Sequence, residues 1–470
     1  MSSTASTNAA NSIVTQLSAL IGAANVSTAA DDLERCGRDW TKAFVPKPLA
    51  IVFPRSVEHV QAVVKLANAE QFALVPSGGR TGLSGGAVAT NGEVVVALDY
   101  MNKVLAFDAI DRTVICQAGV VTEQLQQFAE EKGLYYPVDF ASAGSSRIGG
   151  NIATNAGGIK VIRYGMTREW VLGLKVVTGA GEILELNRGL IKNNAGYDLR
   201  QLFIGAEGTL GIIVEATMKL TRQPKNLTAL VLGVPTFANI MDVLHTFQGK
   251  LDLTAFEFFS DKALAKVVAH SNLQKPFETP AAFYALLEFE NLNEEIEAQA
   301  MALFEHCVEQ GWVVDGVMSQ SIEQLQNLWR LREDISETLS RWTPYKNDIA
   351  TVISKVPAFI AEVDALVNRE YPDFEIVWFG HIGDGNVHLN ILKPDALSVA
   401  EFHEKCHHVS KWVFEIVQKY EGSVSAEHGV GLLKKDYLHF GRSAGEIALM
   451  KQIKLAFDPN RVMNPGKIFD

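Results

Sequence analysis

This sequence predicts an α+β chain of more than one domain, on three observations. Its 470 residues exceed one ordinary hydrophobic core and suit two or three. From residue 50 the apolar pattern alternates between short β-branched runs and helical spacing. After the polar link Arg222-Gln223-Pro224-Lys225, strands are separated by long helices. That order is a split βαβ layer, an antiparallel sheet with helices on one side.

Residues 1–9, rich in Ser, Thr, Ala and Asn, read as frayed, 11–25 as an amphipathic helix and 31–46 as irregular. A strand at 50–53 leads to a helix at 56–70, with Ser56 as N-cap and Glu58 in the first turn. A strand at 73–76 runs into a glycine-rich loop. Strands at 93–98 and 113–117, a helix at 122–132, and strands at 172–177 and 211–219 complete the first region. The second region has strands at 228–232, 255–259 and 282–288, with helices at 236–249, 293–310 and 321–339. A helix at 444–456 and a polar tail close the chain.

A net charge of −12 and no strongly basic stretch exclude bulk nucleic-acid binding. Four scattered cysteines, none in a CxxC, read as reduced thiols. The N-terminus lacks a basic, apolar secretory signal, and no apolar run is long enough to span a membrane. The expected location is cytoplasmic.

Three glycine clusters each adjoin a strand. The first is Pro76-Ser77-Gly78-Gly79-Arg80-Thr81-Gly82-Leu83-Ser84-Gly85-Gly86. Its exposed backbone N–H groups can wrap phosphate oxygens, although it is neither a GxxxxGK[ST] loop nor a GxGxxG fingerprint. Residues 144–158, almost all small, could lie against a flat ligand, and Gly205-Ala206-Glu207-Gly208 follows. Together they favour one large diphosphate-bearing cofactor over three separate turns.

Near the C-terminus stands Gly380-His381-Ile382-Gly383-Asp384-Gly385-Asn386-Val387-His388-Leu389-Asn390, then Ser425-Ala426-Glu427-His428-Gly429. His and Glu at irregular, glycine-bent spacing can converge on one divalent metal with a position open for substrate. An unbroken strand would put His381 and His388 on opposite faces, but Gly383 and Gly385 permit a turn. A glycine-rich hairpin whose histidines only hydrogen-bond is the plainer alternative. A rival motif, His403-Glu404-Lys405-Cys406-His407, is a literal HExxH and would suit a metallohydrolase if it bound zinc. Arg332 and Ser336, four apart on a helix, would share a face, with Lys346 close behind in sequence.

The glycine clusters, in this order, resemble the FAD-binding domain of vanillyl-alcohol-oxidase-type flavoproteins. The HxGDGNxH and AEHG segments narrow the resemblance to the FAD-dependent D-2-hydroxyacid dehydrogenases. It runs from about residue 45 to residue 470. It implies an N-terminal helical segment (1–44), a two-subdomain FAD-binding domain (45–223), a substrate or cap domain (224–424) and a C-terminal segment (425–470) returning to the FAD site.

Carried over, Pro76, Ser77, Gly78, Gly79, Arg80, Thr81, Gly82, Leu83 and Ser84 would cradle the FAD diphosphate. Gly144, Ser145, Gly149, Gly150, Asn151, Thr154 and Asn155 would line the flavin. Glu207, Gly208, Ile212, Ile213 and Asn464 would complete the pocket. Some relatives attach the flavin through a His in the first loop; here Arg80 follows Gly78-Gly79, so the FAD is expected to be non-covalent. Arg332, Ser336 and Lys346 would hold substrate carboxylates. His381, His388 and Glu427 would bind Zn²⁺ or another divalent metal, Asn390 would orient the substrate, and His428 would act as general base. The expected substrate is D-2-hydroxyglutarate first, with D-lactate or glycolate as alternatives. Without a Rossmann fingerprint, an electron-transfer flavoprotein or a quinone is the expected electron acceptor. A homodimer is also expected.

Overall fold

A computed structural model describes residues 2–470, with side chains from Ala10 onward; residues 2–9, expected to be frayed, are the start of a helix. The chain divides into two compact units. The first holds residues up to Gly157, then Met166–Gln223 and Glu427–Asp470; the second holds Gly158–Gly165 and Pro224–Ala426.

The first unit opens with a helix at Ser2–Ile21, starting and ending earlier than the 11–25 expected. Strands β1 (Val26–Ser27), β2 (Ala50–Val52), β3 (Leu74–Ser77) and β4 (Val94–Ala97) form a sheet in the order β1-β2-β4-β3. β2, β4 and β3 are parallel. The helix Val57–Glu70 covers it, burying Val57, Val60, Val63, Val64 and Ala67 at helical spacing, and Ser56 Oγ accepts from the His59 N–H as its N-cap. Next come β5 (Val104–Asp108), β6 (Thr113–Gln117), β7 (Leu134–Tyr135), β8 (Val171–Thr178), β9 (Ile183–Leu186), β10 (Gly211–Lys219) and β11 (Thr221–Arg222). Five of them make an antiparallel sheet, β5-β6-β10-β8-β9, and β7 pairs with β11. The C-terminal tail docks back onto β3. Leu74 N–H donates to Val462 O, and Asn464 N–H donates to Leu74 O, each at 2.7 Å.

The second unit is built on seven antiparallel strands. These are β12 (Leu227–Val234), β13 (Leu253–Ser260), β14 (Phe283–Glu290), β15 (Asp315–Met318), β16 (Tyr345–Ala350), β17 (Glu375–His381) and β18 (Asn386–Leu392), in the order β15-β12-β14-β13-β17-β18-β16. β13 is buried along its whole length, yet it carries Glu257, and buried β14 carries Glu288 and Glu290. Cations answer two of these carboxylates from Gly158–Gly165, a short excursion of the chain out of the first unit. Lys160 Nζ lies 2.6 Å from Glu288 Oε1 and 4.6 Å from the Trp329 ring centroid, and Arg163 Nη2 lies 2.8 Å from Glu290 Oε2. Trp329 Nε1 donates to Glu288 Oε2 at 2.8 Å.

The single helix expected at 321–339 is two, Ile322–Glu333 and Ile335–Leu339. At Asp334 the N–H turns to Arg330 O and Arg332 O, tightening the last turn and ending the first helix. Among the described residues no helix is long and apolar enough to cross a membrane.

Candidate active site

In the first unit the glycine clusters pack backbone to backbone. A Cβ on Gly79 would stand 2.3 Å from Ser145 O and 2.7 Å from Ser146 Cα, so only glycine fits there. Gly78 lies beside Gly150, and a Cβ on Gly150 would meet nothing within 4 Å. Two buried polar atoms here lack a partner, Ser77 Oγ and Asn464 Oδ1. Asn464 Nδ2 donates to Gly86 O at 2.9 Å and Glu207 O at 2.7 Å. Four expected cofactor residues are non-glycines in the left-handed region: Arg80 (φ 61°), Asn155 (φ 52°), Glu207 (φ 50°) and Asn464 (φ 41°). Such strain collects where a ligand is gripped.

Arg80 itself is fixed. Its guanidinium forks Asp99 at 2.8 and 3.0 Å, and Arg147 reaches the same carboxylate at 3.1 Å. Burial pushes Asp99 up, but the hydrogen bonds from Arg80 and the positive charges of Arg80, Arg147 and Arg35 prevail and hold it below the usual carboxylate range. Asn151 Nδ2 donates to Thr122 Oγ1 at 2.7 Å, Thr154 Oγ1 to Gly150 O at 3.1 Å, and Asn155 Oδ1 accepts from the Arg168 N–H at 2.9 Å. Ile212 and Ile213 sit buried in β10. Ser84 and Glu207 turn their side chains to the AEHG strip. Ser84 Oγ lies 2.8 Å from His428 O and 2.9 Å from Gly429 O, and Glu207 accepts from the Val430 and Gly431 N–H groups at 2.7 and 2.8 Å. In the same unit, a Cβ on Gly157 would stand 3.2 Å from Glu427 Oε2, and His428 Nε2 lies 3.6 Å from Glu427 Oε1.

In the second unit the expected turn exists. β17 ends at His381 and β18 begins at Asn386; between them Gly385 takes φ 84° with no room for a Cβ, since Thr351 O would stand 2.3 Å from it. The hairpin brings the His381 and His388 rings to 5.2 Å between centroids. Each ring has a carboxylate at Nδ1: Glu257 Oε1 at 2.9 Å from His381, Asp348 Oδ1 at 3.8 Å from His388. Glu257 Oε2 lies 2.8 Å from Arg332 Nη2, and Arg332 rests over the Phe379 ring at 4.7 Å. Alignment leaves Arg332 Nε and Nη2, and Asn390 Oδ1, without a directed hydrogen bond.

Strand register places Lys346 opposite Asn390 and Asp348 opposite His388. Lys346 Nζ donates to Ser336 Oγ at 2.9 Å. Protein atoms crowding this ammonium lower its pKa through desolvation, but the residue keeps an exposed face, so solvent tempers the effect. One geometric expectation fails. Arg332 is buried at the end of one helix while Ser336 is exposed on the next, because the helix breaks at Asp334. Lys346, not a shared helix face, ties Ser336 into the cluster.

His403, Glu404 and His407 lie on an exposed face of the helix Val399–Lys419, and among the described residues they gather no third ligand. Glu257 and Asp348 were not picked out from the sequence. A signal existed for Glu257: a lone carboxylate within the aromatic run Phe256-Glu257-Phe258-Phe259.

Residues 223–468 match the family model described as FAD linked oxidases, C-terminal domain, and residues 48–187 match the FAD binding domain. A D-2-hydroxyglutarate dehydrogenase of Stutzerimonas stutzeri (strain A1501) is 70% identical over 457 residues, covering 97% of this chain and 98% of that one. The mitochondrial D-2-hydroxyglutarate dehydrogenase of Bos taurus is 35% identical, over 94% of this chain and 81% of its own. Among solved structures, p-cresol methylhydroxylase with substrate bound aligns with a TM-score of 0.76 at 16% identity, covering 98% of this chain and 97% of that chain. Alkyldihydroxyacetonephosphate synthase aligns at 0.73 and 19%, over 97% and 85%. These neighbours share the α+β, vanillyl-alcohol-oxidase-type fold expected from the sequence.

Proposed function

The chain belongs to the FAD-linked oxidases, as an FAD-dependent dehydrogenase of D-2-hydroxy acids, and from that premise we propose that its substrate is D-2-hydroxyglutarate, oxidised to 2-oxoglutarate. The observation that carries this reading is the pair of cations in the second unit. Arg332 is buried, with Nη2 against Glu257 and its Nε without a hydrogen-bond partner, and Lys346 on β16 donates to Ser336 of the helix Ile335–Leu339. A guanidinium can fork one carboxylate, and the ammonium gives a second carboxylate its own partner. The relatives named for D-2-hydroxyglutarate support the same choice.

FAD fits the first unit. The side-chain-free wall at Gly78 and Gly150, the unpartnered Ser77 Oγ and Asn464 Oδ1, and the strained backbone of four surrounding residues all suit a gripped cofactor. We assign it as non-covalent, since a guanidinium held by Asp99 occupies the place of a linking histidine.

A divalent cation, with Zn²⁺ first, fits the donor set His381, His388 and Glu427. An ion-paired carboxylate accepts rather than donates, so an Nδ1–H facing Glu257 leaves the imidazole lone pair at Nε2, the ligating nitrogen. Glu427 follows in sequence directly on Ala426, whose N–H donates to Asp348 Oδ2 at 3.1 Å, and Asp348 is the register partner of His388. One peptide unit, about 3.8 Å between Cα atoms, therefore separates Glu427 from a residue anchored beside the histidine pair.

Bound, the FAD supplies the hydride acceptor and the cation a Lewis acid that lowers the pKa of the substrate hydroxyl. The chain's own residues do the rest. Arg332 and Lys346 hold the two carboxylates and fix which face of C2 is presented. Asn390, the register partner of Lys346, orients the substrate. His428 takes the hydroxyl proton, with Glu427 beside its Nε2. We assign an electron-transfer flavoprotein or a quinone as the electron acceptor and a homodimer as the working form.

The test is anaerobic mixing of the purified flavoprotein with a panel of D- and L-2-hydroxy acids. D-2-hydroxyglutarate should bleach the flavin fastest, with 2-oxoglutarate as product. A faster bleach by D-lactate or glycolate overturns the substrate assignment, and no bleach by any 2-hydroxy acid overturns the reaction class.

A further inference from the structure

We propose that Glu257 is a positioning residue that couples metal binding to substrate recognition: one carboxylate oxygen sets the tautomer of His381 and the other holds Arg332 in place. The inference rests on the reading of His381 as a metal ligand.

Glu257 lies in β13, where every residue is buried, and it is itself 1% exposed. Phe258 pairs with Gly380 and Phe259 with Phe379, so the next register step sets Glu257 across from His381. The side chains meet there, Oε1 to Nδ1 at 2.9 Å, while Oε2 lies 2.8 Å from Arg332 Nη2. Phe379 confines the guanidinium from its face at 4.7 Å. A buried charge between phenylalanines is unfavourable for folding unless it is fully partnered. An apolar residue would suit the strand better, so the stability of the sheet does not explain it. The two groups it touches are those assigned to the metal and to the substrate carboxylate.

Removing the charge therefore has two separable effects. His381 loses the charged acceptor that holds its proton on Nδ1, which weakens a metal site by 10–100-fold in comparable second-sphere changes. Arg332 loses its tether, so substrate binding weakens even at saturating metal.

The experiment compares Glu257→Gln, Glu257→Asp and His381→Ala in the FAD-loaded protein. Zn²⁺ affinity is measured by competition with a chelator, and the flavin spectrum reports folding. Glu257→Gln should bind Zn²⁺ roughly 10–100-fold more weakly. With Zn²⁺ in excess, kcat should recover while KM for D-2-hydroxyglutarate stays raised, and Glu257→Asp should retain part of both properties. Wild-type affinity in Glu257→Gln, alongside Zn²⁺ loss in His381→Ala, overturns the role of Glu257 alone. Unchanged Zn²⁺ binding in both variants overturns the metal reading and this inference with it. Should the Glu257 variants fail to hold FAD, the unsubstituted protein still decides. ¹⁵N-histidine spectra, assigned through the signal missing from His381→Ala, should show His381 protonated at Nδ1; an Nε2–H tautomer overturns the proposal.

Discussion

Replacing Lys346 by alanine separates a dicarboxylate substrate from a monocarboxylate one. The ammonium makes one hydrogen bond, to Ser336 Oγ at 2.9 Å, and the side chain keeps an exposed face. A hydrogen bond to a charged group contributes about 1.5–3 kcal/mol. Exposure places this contact in the lower half of that range, because solvent screens it. About 1.5–2 kcal/mol corresponds to roughly a 10–30-fold loss in kcat/KM for D-2-hydroxyglutarate. D-lactate lacks the second carboxylate and leaves Arg332 to hold the first, so its loss should stay under about threefold. The assay is the anaerobic rate of flavin bleaching against acid concentration, which is independent of the electron acceptor. Lys346→Arg, retaining the charge, should recover part of the diacid rate. Equal losses on the two acids would mean that Lys346 serves a group common to both, and the assignment of a second-carboxylate partner would be refuted.

Acid precipitation should release the flavin into the supernatant; flavin in the pellet contradicts the non-covalent assignment. Chelation should abolish turnover while the flavin spectrum persists, and a divalent ion should restore it; full activity in metal-free protein defeats the metal reading. Lys467, 1% exposed, has its pKa lowered to about 8 by desolvation, only partly offset by Glu93 and Asp39. Its unfolded form binds more protons between pH 8 and 10.5, so native stability rises with pH across that window. Lys467→Met should accordingly stabilise the protein most below pH 8, by up to about 3 kcal/mol at 1.36 kcal/mol per pKa unit, and the gain should fade toward pH 10.5. Thermal unfolding of the FAD-loaded variant at pH 7 and 10 checks this; a gain that grows with pH contradicts it.

What could be read in the sequence was whatever local chemistry enforces. The Gly383 and Gly385 turn was legible because a tight turn between two strands calls for a residue free to take a left-handed φ, as Gly385 does. The Ser56 cap and the strands at Thr113–Gln117 and Gly211–Lys219 were legible for the same reason: hydroxyl and β-branched residues act within a few positions. The Asp334 break was missed because apolar spacing runs on through it, and only the backbone bonding shows the first helix closing there. Glu257 lies 124 residues from His381 and meets it only through the β13–β17 pairing, which no local pattern specifies. Ser84 and Glu207 turn their side chains to the His428–Gly431 backbone, a contact across more than 200 residues that no local pattern specifies.

The excursion Gly158–Gly165 has a consequence for how this chain can be made and cut. A fragment spanning only Pro224–Ala426 would contain every strand of the seven-stranded sheet and still lack the cations for Glu288 and Glu290. An abandoned buried carboxylate destabilises by about 3–5 kcal/mol, a large share of the 5–15 kcal/mol that holds a typical domain folded. Such a fragment should fold poorly unless Glu288 and Glu290 are both neutralised. On the ribosome the order is reversed: Lys160 and Arg163 emerge more than a hundred residues before the glutamates they meet. They must wait, solvated, until β14 has been synthesised, so the second unit cannot complete its interior from Pro224–Ala426 alone.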